Sequence, residues 1–135
     1  FVNDKIIEIW NSSSGQMKEK LSAHADTVNS LIIDKYNQLI SGSFDYTIKI
    51  WNITRGECIR KLIGHRHYVY ILVINKNDEL LSGSGDETIK IWNMTNGECK
   101  RTLKGHSDFV SSLVINKQHE LISGSRDKTI KIWNM

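Results

Sequence analysis

A serine, a histidine and an aspartate recur together three times along this 135-residue chain. The three sets are His24, Ser41, Asp45; His65, Ser82, Asp86; and His106, Ser123, Asp127. These are the side chains of a hydrolase triad, in which an aspartate orients an imidazole that deprotonates a serine nucleophile. Catalysis needs one exposed nucleophile in one cleft, whereas three copies at fixed spacing indicate a repeated structural device. We therefore predict a hydrogen-bonding role for these sets and no enzymatic activity.

The tryptophans show how the triads are distributed. Trp10, Trp51, Trp92 and Trp133 follow one another at intervals of 41 residues. Residues 52–92 and 93–133 are identical at 26 of 41 positions, and residues 11–51 match the last unit at 22. A fixed period of this length indicates repeated supersecondary units that stack on their neighbours.

Each unit contains signals for four short strands and none for a helix. In the unit ending at Trp92, we predict strands over residues 69–74, 79–84, 88–92 and 98–103. The first is apolar on both faces, which requires cover on both sides. Asn96-Gly97 is a strong hairpin signal before the last strand, whose charged residues suit an exposed edge. Sheets of four antiparallel strands that must stack on each other predict an all-β fold, built as the blades of a β-propeller.

At these residues the chain resembles the WD40 repeat proteins along essentially its whole length. The resemblance rests on Gly64-His65 and Gly105-His106, on the repeated core SGS-x-D-x-T-I-K-I-W, and on the 27 residues from each histidine to its tryptophan. The first unit has Ala23-His24 instead. Trp-Asn replaces the usual Trp-Asp in all four copies, and the chain has no proline for the usual Pro-Asp-Gly turn. These departures alter local turns and leave the core pattern intact.

The resemblance implies that each triad is extended by a tryptophan into a structural tetrad of hydrogen-bonded side chains. The opening unit keeps Asp4 and Trp10 but has Ile6 where the others have threonine, so we expect only part of a blade there. The implied tetrads are His24, Ser41, Asp45, Trp51; His65, Ser82, Asp86, Trp92; and His106, Ser123, Asp127, Trp133.

The period divides the chain into a partial blade (residues 1–21), two blades (22–62 and 63–103) and a blade without its outer strand (104–135). We thus expect an open propeller of about three blades plus one extra strand pair. Three blades cannot close a ring, so further blades are needed from a longer chain or from another copy. We favour a fragment of a longer chain, since the sequence opens on Phe1. A ring of several copies and a lone open arc are the alternatives.

The resemblance also implies an interaction scaffold whose loop-lined top face binds a protein or peptide. Residues that differ between repeats at this face are the candidates for partner binding: Phe44, Arg66, Tyr68, Phe109 and Arg126. Two arginines and three aromatic rings favour an acidic or phosphorylated peptide with one apolar side chain. A simpler alternative is that Tyr68 and Phe109 only cover neighbouring blades. At the level of biological role, a substrate-recognition arm of a ubiquitin ligase, a signalling regulator and a nucleic-acid-associated subunit are alternatives, the last only weakly favoured by the net charge of +3.

Other features argue for no cofactor, no metal and no membrane span. His65-Arg66-His67 has no cysteine nearby in sequence, and no glycine-rich phosphate loop is present. The apolar runs, such as residues 31–33 and 71–74, are far too short to cross a bilayer. Cys58 and Cys99 occupy the position of Met17, which we interpret as an apolar packing position where a disulfide is not expected. We therefore expect an intracellular protein, located in the cytoplasm, with the nucleus as the alternative.

Overall fold

The computed structural model describes residues 5–135. Over these residues the chain is all-β, with thirteen strands in four antiparallel sheets. No helix among the described residues is long and apolar enough to cross a membrane. The strands are β1 (Ile6–Trp10), β2 (Met17–Ser22), β3 (Val28–Ile33), β4 (Gln38–Ser43), β5 (Ile48–Asn52), β6 (Glu57–Leu62), β7 (Val69–Ile74), β8 (Leu80–Ser84), β9 (Ile89–Trp92), β10 (Cys99–Leu103), β11 (Val110–Ile115), β12 (Leu121–Ser125) and β13 (Ile130–Trp133).

Each sheet is a meander in which consecutive strands pair. We call the sheets blade 1 (β1–β2), blade 2 (β3–β6), blade 3 (β7–β10) and blade 4 (β11–β13). The all-β prediction of about three blades plus one strand pair is therefore confirmed. In blade 3 the predicted strands begin within one residue of the observed ones, because alternation and turn residues mark the ends clearly.

Apolar side chains between adjacent blades form the core. Ile48 and Ile50 of blade 2 pack with Leu72 and Trp92 of blade 3, and all four are at most 2% exposed. A second cluster joins blades 3 and 4, and a third joins blades 1 and 2. Each blade thus depends on its neighbours for the burial of its faces, as in other stacked repeats.

The last blade shows what happens without a neighbour. Ile130 and Ile132 are 76% and 64% exposed, whereas Ile89 and Ile91, at the same positions of blade 3, are 1% and 0% exposed. The exposed isoleucines form an apolar surface on the outer face of blade 4. This surface has the composition of a blade interface.

A tight turn joins the second and third strands of every complete repeat. Its third residue has a left-handed backbone, with φ of 71° at Tyr46, 69° at Glu87 and 67° at Lys128. This conformation is costly for side chains other than glycine. The turn carries the aspartate of each predicted tetrad, so its geometry positions the candidate site.

The packing interpretation of the cysteines is wrong. Cys58 and Cys99 are exposed free thiols, and Met17 is 44% exposed. All three lie on or beside the outermost strand of a blade, which faces solvent on its free edge. A position that accepts Cys or Met is therefore a solvent-facing edge in this fold.

Candidate functional site

The four predicted tetrad residues of blade 3 form one chain of hydrogen bonds. Nδ1 of His65 lies 2.8 Å from Asp86 Oδ2, and Nε2 of the same ring lies 2.7 Å from Ser82 Oγ. The indole Nε1–H of Trp92 donates to Ser82 Oγ at 2.8 Å. With the proton on Nδ1, the imidazole donates to the carboxylate and accepts from the serine hydroxyl. Every polar atom along this line has a partner.

Local structure brings the four side chains together from distant parts of the repeat. His65 precedes β7, Ser82 lies in β8, and Trp92 ends β9. Asp86 lies in the turn between β8 and β9, where its backbone N–H donates to Ser84 Oγ at 3.1 Å. Its carboxylate also accepts the backbone N–H of Arg66 at 2.9 Å, which fastens the loop before β7 to the turn.

Blades 2 and 4 repeat this geometry closely. The histidine Nε2 to serine Oγ distance is 2.7 Å in both, and the indole to serine distance is 2.9 Å in blade 2 and 2.8 Å in blade 4. The histidine to aspartate distances are 2.9 Å and 2.7 Å. The structure therefore forms all three predicted tetrads, one in each of blades 2, 3 and 4. They are His24, Ser41, Asp45, Trp51; His65, Ser82, Asp86, Trp92; and His106, Ser123, Asp127, Trp133.

In blade 1, Trp10 is 56% exposed and its indole N–H donates to Glu8 at 3.1 Å. The predicted Asp4 lies outside the described residues.

The tetrad carboxylates are held in the ionised form. Burial alone would raise the pKa of Asp45, but hydrogen bonds from Thr47, from the backbone of Ala25 and from His24 outweigh it and lower the pKa to about 2. The pKa of Asp86 is likewise lowered against burial, chiefly by His65. A hydrogen bond from Thr129 is the main cause of the lowered pKa of Asp127. Burial lowers the pKa of His24, although Asp45 opposes this effect, so the ring favours its neutral form.

The distances within each tetrad match those of a catalytic triad, but the serine hydroxyl is not accessible to a substrate. Ser41, Ser82 and Ser123 are each 0% exposed, so a substrate carbonyl has no route to the hydroxyl oxygen. The oxygen already receives an indole N–H and contacts the imidazole. A buried, fully paired network of this kind fixes a loop, a turn and a strand relative to each other.

The second candidate site is a group of rings that we call the aromatic surface. The rings lie in the turn after β4, in the loops before β7 and β11, and at the start of β7. Phe44 stacks on Tyr68 with ring centroids 4.2 Å apart, and Tyr70 meets Phe109 at 5.6 Å. His67 connects them, lying 4.4 Å from Tyr68 and 4.9 Å from Phe109. Rings from blades 2, 3 and 4 thereby form one continuous group. Its members are Phe44, Tyr46, His67, Tyr68, Tyr70 and Phe109.

Only one of the two predicted arginines joins this surface. Arg126 is exposed and places its guanidinium 5.6 Å from the centre of the Phe109 ring, a cation–π arrangement. Arg66 lines a different pocket, with Lys90 and Lys104.

His67 owes its place to a glycine. A Cβ at Gly85 would lie 2.2 Å from His67 Nδ1, so the ring occupies the space that a side chain would need. The other blades have Phe44 and Arg126 at this position and an aspartate in place of the histidine. The combination of a histidine at one position and a glycine at the other is therefore found only in the repeat of blade 3.

The rings also cover neighbouring blades. Phe44 of blade 2 lies against Tyr68 of blade 3, and Phe109 of blade 4 lies against His67 and Tyr70 of blade 3. All of these rings are half-buried, and Tyr46 is 43% exposed. The partner-binding residues predicted from sequence did not include Tyr46, His67 and Tyr70, although these too differ between repeats at otherwise similar positions.

Comparison with known proteins identifies the repeats. The family model described as "WD domain, G-beta repeat" matches residues 15–52, 56–93 and 97–134, which is most of the chain. The chain belongs to the WD40 repeat family.

A solved WD40 structure shows the same architecture. The chain is similar to the structure titled "Crystal structure of WD40 beta propeller domain of Doa1", with a TM-score of 0.89 and 26% sequence identity. The match covers 97% of this chain and 44% of that chain, so this chain spans less than half the length of the solved domain. No curated protein matched the sequence significantly.

WD40 membership establishes the general character of the molecule. WD40 propellers generally act as protein-interaction scaffolds and are generally non-enzymatic. The predicted fold, a partial β-propeller built of WD40 blades, is confirmed. A partial propeller is also consistent with a need for further blades.

Proposed function

We propose that this WD40 segment binds a protein or peptide partner through the aromatic surface and Arg126. The observation that carries the proposal is the continuity of the rings, which come from three blades and pack against each other, stacked or tilted, in one half-buried group. Aromatic and arginine side chains dominate interface hot spots. Rings already held against each other lose little conformational freedom on binding.

The chemistry of the surface supports a partner segment with an apolar side chain and a negative charge. The edges and faces of Phe44, Tyr68 and Phe109 offer apolar area beside the tyrosine hydroxyls. Arg126 is exposed, and its planar guanidinium suits a carboxylate or a phosphate in two-point contact. The ligand class is therefore an acidic or phosphorylated peptide.

The tetrads have a structural role in this proposal. They fix the loops that carry the aromatic surface, since the backbone N–H of Arg66 beside His67 is bonded to Asp86. Buried serines support a scaffold and not an enzyme.

The proposed location is intracellular. Cys58 and Cys99 are exposed free thiols, a state that a reducing compartment maintains.

Binding of an acidic peptide selected from a library tests the proposal, with the full-length protein in isothermal titration. We expect Tyr68→Ala and Arg126→Ala each to weaken binding by at least about 1 kcal/mol. Arg60→Ala is the matched control, because it removes one positive charge from an outer strand of blade 2. Lys100→Ala, on the outer strand of blade 3, serves in the same way.

The assignment of the top face is wrong if the outer-strand variants abolish binding while Tyr68→Ala and Arg126→Ala bind normally. Circular dichroism of each variant establishes that the fold is retained.

A further inference from the structure

A pocket of about 460 Å³ lies beside blade 3, between the loop that precedes β7 and the strands β9 and β10. We propose that this pocket binds a phosphate monoester, carried by a phosphorylated side chain of the partner. This inference rests on the proposed function, because the same partner occupies the aromatic surface.

Three cations line the pocket. They are Arg66 from the loop, Lys90 from β9 and Lys104, which follows β10. Arg66 and Lys104 are exposed, and Lys90 is half-buried. Convergent Lys and Arg side chains around a phosphate form charge-assisted hydrogen bonds, which are stronger than neutral ones.

The single carboxylate in the pocket is already fully engaged. Asp86 contacts His65 Nδ1 and accepts hydrogen bonds from the backbone of Arg66 and from both the N–H and the hydroxyl of Thr88. These four bonds use its acceptor positions. The side chains of the three cations are not bonded to it, and three positive charges against one negative charge leave the pocket with a net positive charge.

One hydroxyl helps to orient Lys90. The ammonium of Lys90 donates to Thr102 Oγ1 at 2.9 Å, and both residues line the pocket. Since that oxygen acts as the acceptor, the hydroxyl proton of Thr102 can be donated to a phosphate oxygen.

The repeat framework does not require this cluster. In blade 2 the positions of Arg66, Thr102 and Lys104 are taken by Ala25, Lys61 and Ile63. The lysine of blade 2 that corresponds to Lys90 is Lys49, which donates to the carbonyl of Ala23 at 2.6 Å. Only Lys90 of the three cations is therefore shared with blade 2, and Arg66 and Lys104 are particular to blade 3 in this comparison.

The pocket adjoins the aromatic surface through one peptide bond. Arg66 lines the pocket, and the next residue, His67, lies among the rings. A peptide on the aromatic surface can therefore extend a phosphorylated side chain over the loop. This continuity favours a phosphorylated peptide over a free phosphorylated metabolite.

The first experiment uses inorganic phosphate as the probe and needs no partner. Amide chemical shifts of the full-length protein are followed during a phosphate titration at low salt. We expect shifts around Arg66, Thr102 and Lys104, and about fivefold weaker binding for Arg66→Ala or Lys104→Ala. Lys76→Ala is the matched control, since it removes one exposed charge from the turn between β7 and β8. Equal weakening by Lys76→Ala, or shifts spread over all lysines, would show general charge attraction and overturn the proposal.

The second experiment separates the two possible sources of the phosphate group. A peptide that binds the aromatic surface is compared with and without one phosphoserine, in wild type and in Lys104→Ala. We expect phosphorylation to strengthen binding to wild type about tenfold and to have little effect in the variant. Phosphate binding without any gain for the phosphopeptide would overturn the assignment to a partner side chain.

Tyr68→Ala distinguishes this inference from the proposed function. It should weaken both peptides and leave the binding of inorganic phosphate unchanged. If Tyr68→Ala has no effect on the peptides while Lys104→Ala still weakens phosphate binding, the proposed role of the aromatic surface fails and the phosphate pocket stands.

Discussion

Replacement of Trp92 by phenylalanine should measure how much one tetrad contributes to stability. Trp92 is 1% exposed, packs in the core between blades 2 and 3, and donates its indole N–H to Ser82. Phenylalanine keeps one ring in the core but removes the donor. Loss of that buried hydrogen bond costs about 1 kcal/mol, since Ser82 keeps its contact with His65.

The missing part of the indole adds a second cost. Gly64 lies against the far edge of the ring, because a Cβ there would meet Trp92 Cη2 at 3.0 Å. The smaller side chain leaves this space unfilled, which costs about 1–2 kcal/mol when the surroundings relax only in part. We expect Trp92→Phe to lower the free energy of unfolding by about 2–3 kcal/mol in total.

Trp10→Phe is the matched control. Trp10 is 56% exposed and its N–H reaches only the exposed Glu8, so the same change should cost less than about 0.5 kcal/mol. Urea unfolding of the full-length protein, followed by far-ultraviolet circular dichroism, avoids the altered fluorescence. Equal losses at both positions, or a negligible loss at Trp92, would refute the structural role of the tetrad.

Three further predictions follow from the fold. Stability should decrease as pH falls below about 6.5, since the folded pKa of His24 is lowered, and again between about pH 4 and 2, since that of Asp45 is about 2. In both cases the unfolded chain binds protons first, and Asp45→Asn should flatten the lower part of a thermal melting profile against pH. Glu87→Gly should raise the free energy of unfolding by up to about 1 kcal/mol, because φ is 69° there, whereas Glu87→Ala should give no gain in the same urea titration. The isolated 135-residue chain should not behave as a compact monomer, because Ile130 is 76% exposed, and a monomeric mass by light scattering with sharp unfolding and no binding of an apolar dye would contradict this.

The strands and the residues of the tetrads could be predicted from sequence for one physical reason. Each unit must bury the same faces against its neighbours, so the same pattern of residues occurs three times. A strand or site residue that is ambiguous in one copy can be assigned from the other two. The 27-residue interval from His65 to Trp92 places both at equivalent points of every blade. The hydrogen bond from Trp92 to Ser82 then follows from the antiparallel pairing of β8 with β9.

The direction of loop side chains could not be predicted in this way. Arg66 and His67 are neighbours in sequence, yet one lines the pocket beside blade 3 and the other lies among the rings. What decides this is the space left by Gly85, which lies 18 residues after His67 in sequence and is next to it only in the folded blade. Periodicity shows which positions vary and does not show which of them share a surface.

The near identity of the repeats has a consequence for how the blades find their order. Val69, Leu72 and Leu80 of blade 3 have identical residues in blade 4, so the interior of one blade interface is almost interchangeable with that of the next. A chain shifted by one whole repeat, or two chains that exchange a blade, would bury nearly the same apolar side chains. Discrimination must then come from the periphery.

Two contacts between blades 2 and 3 illustrate this. Phe44 stacks on Tyr68, and Lys35 forms an ion pair with Asp78, whose counterpart in blade 4 is His119. A blade in the wrong place would lose the ion pair and meet a different ring. Peripheral contacts such as these therefore distinguish one blade from another. The core supplies most of the stability but contributes little to the order in which the blades assemble.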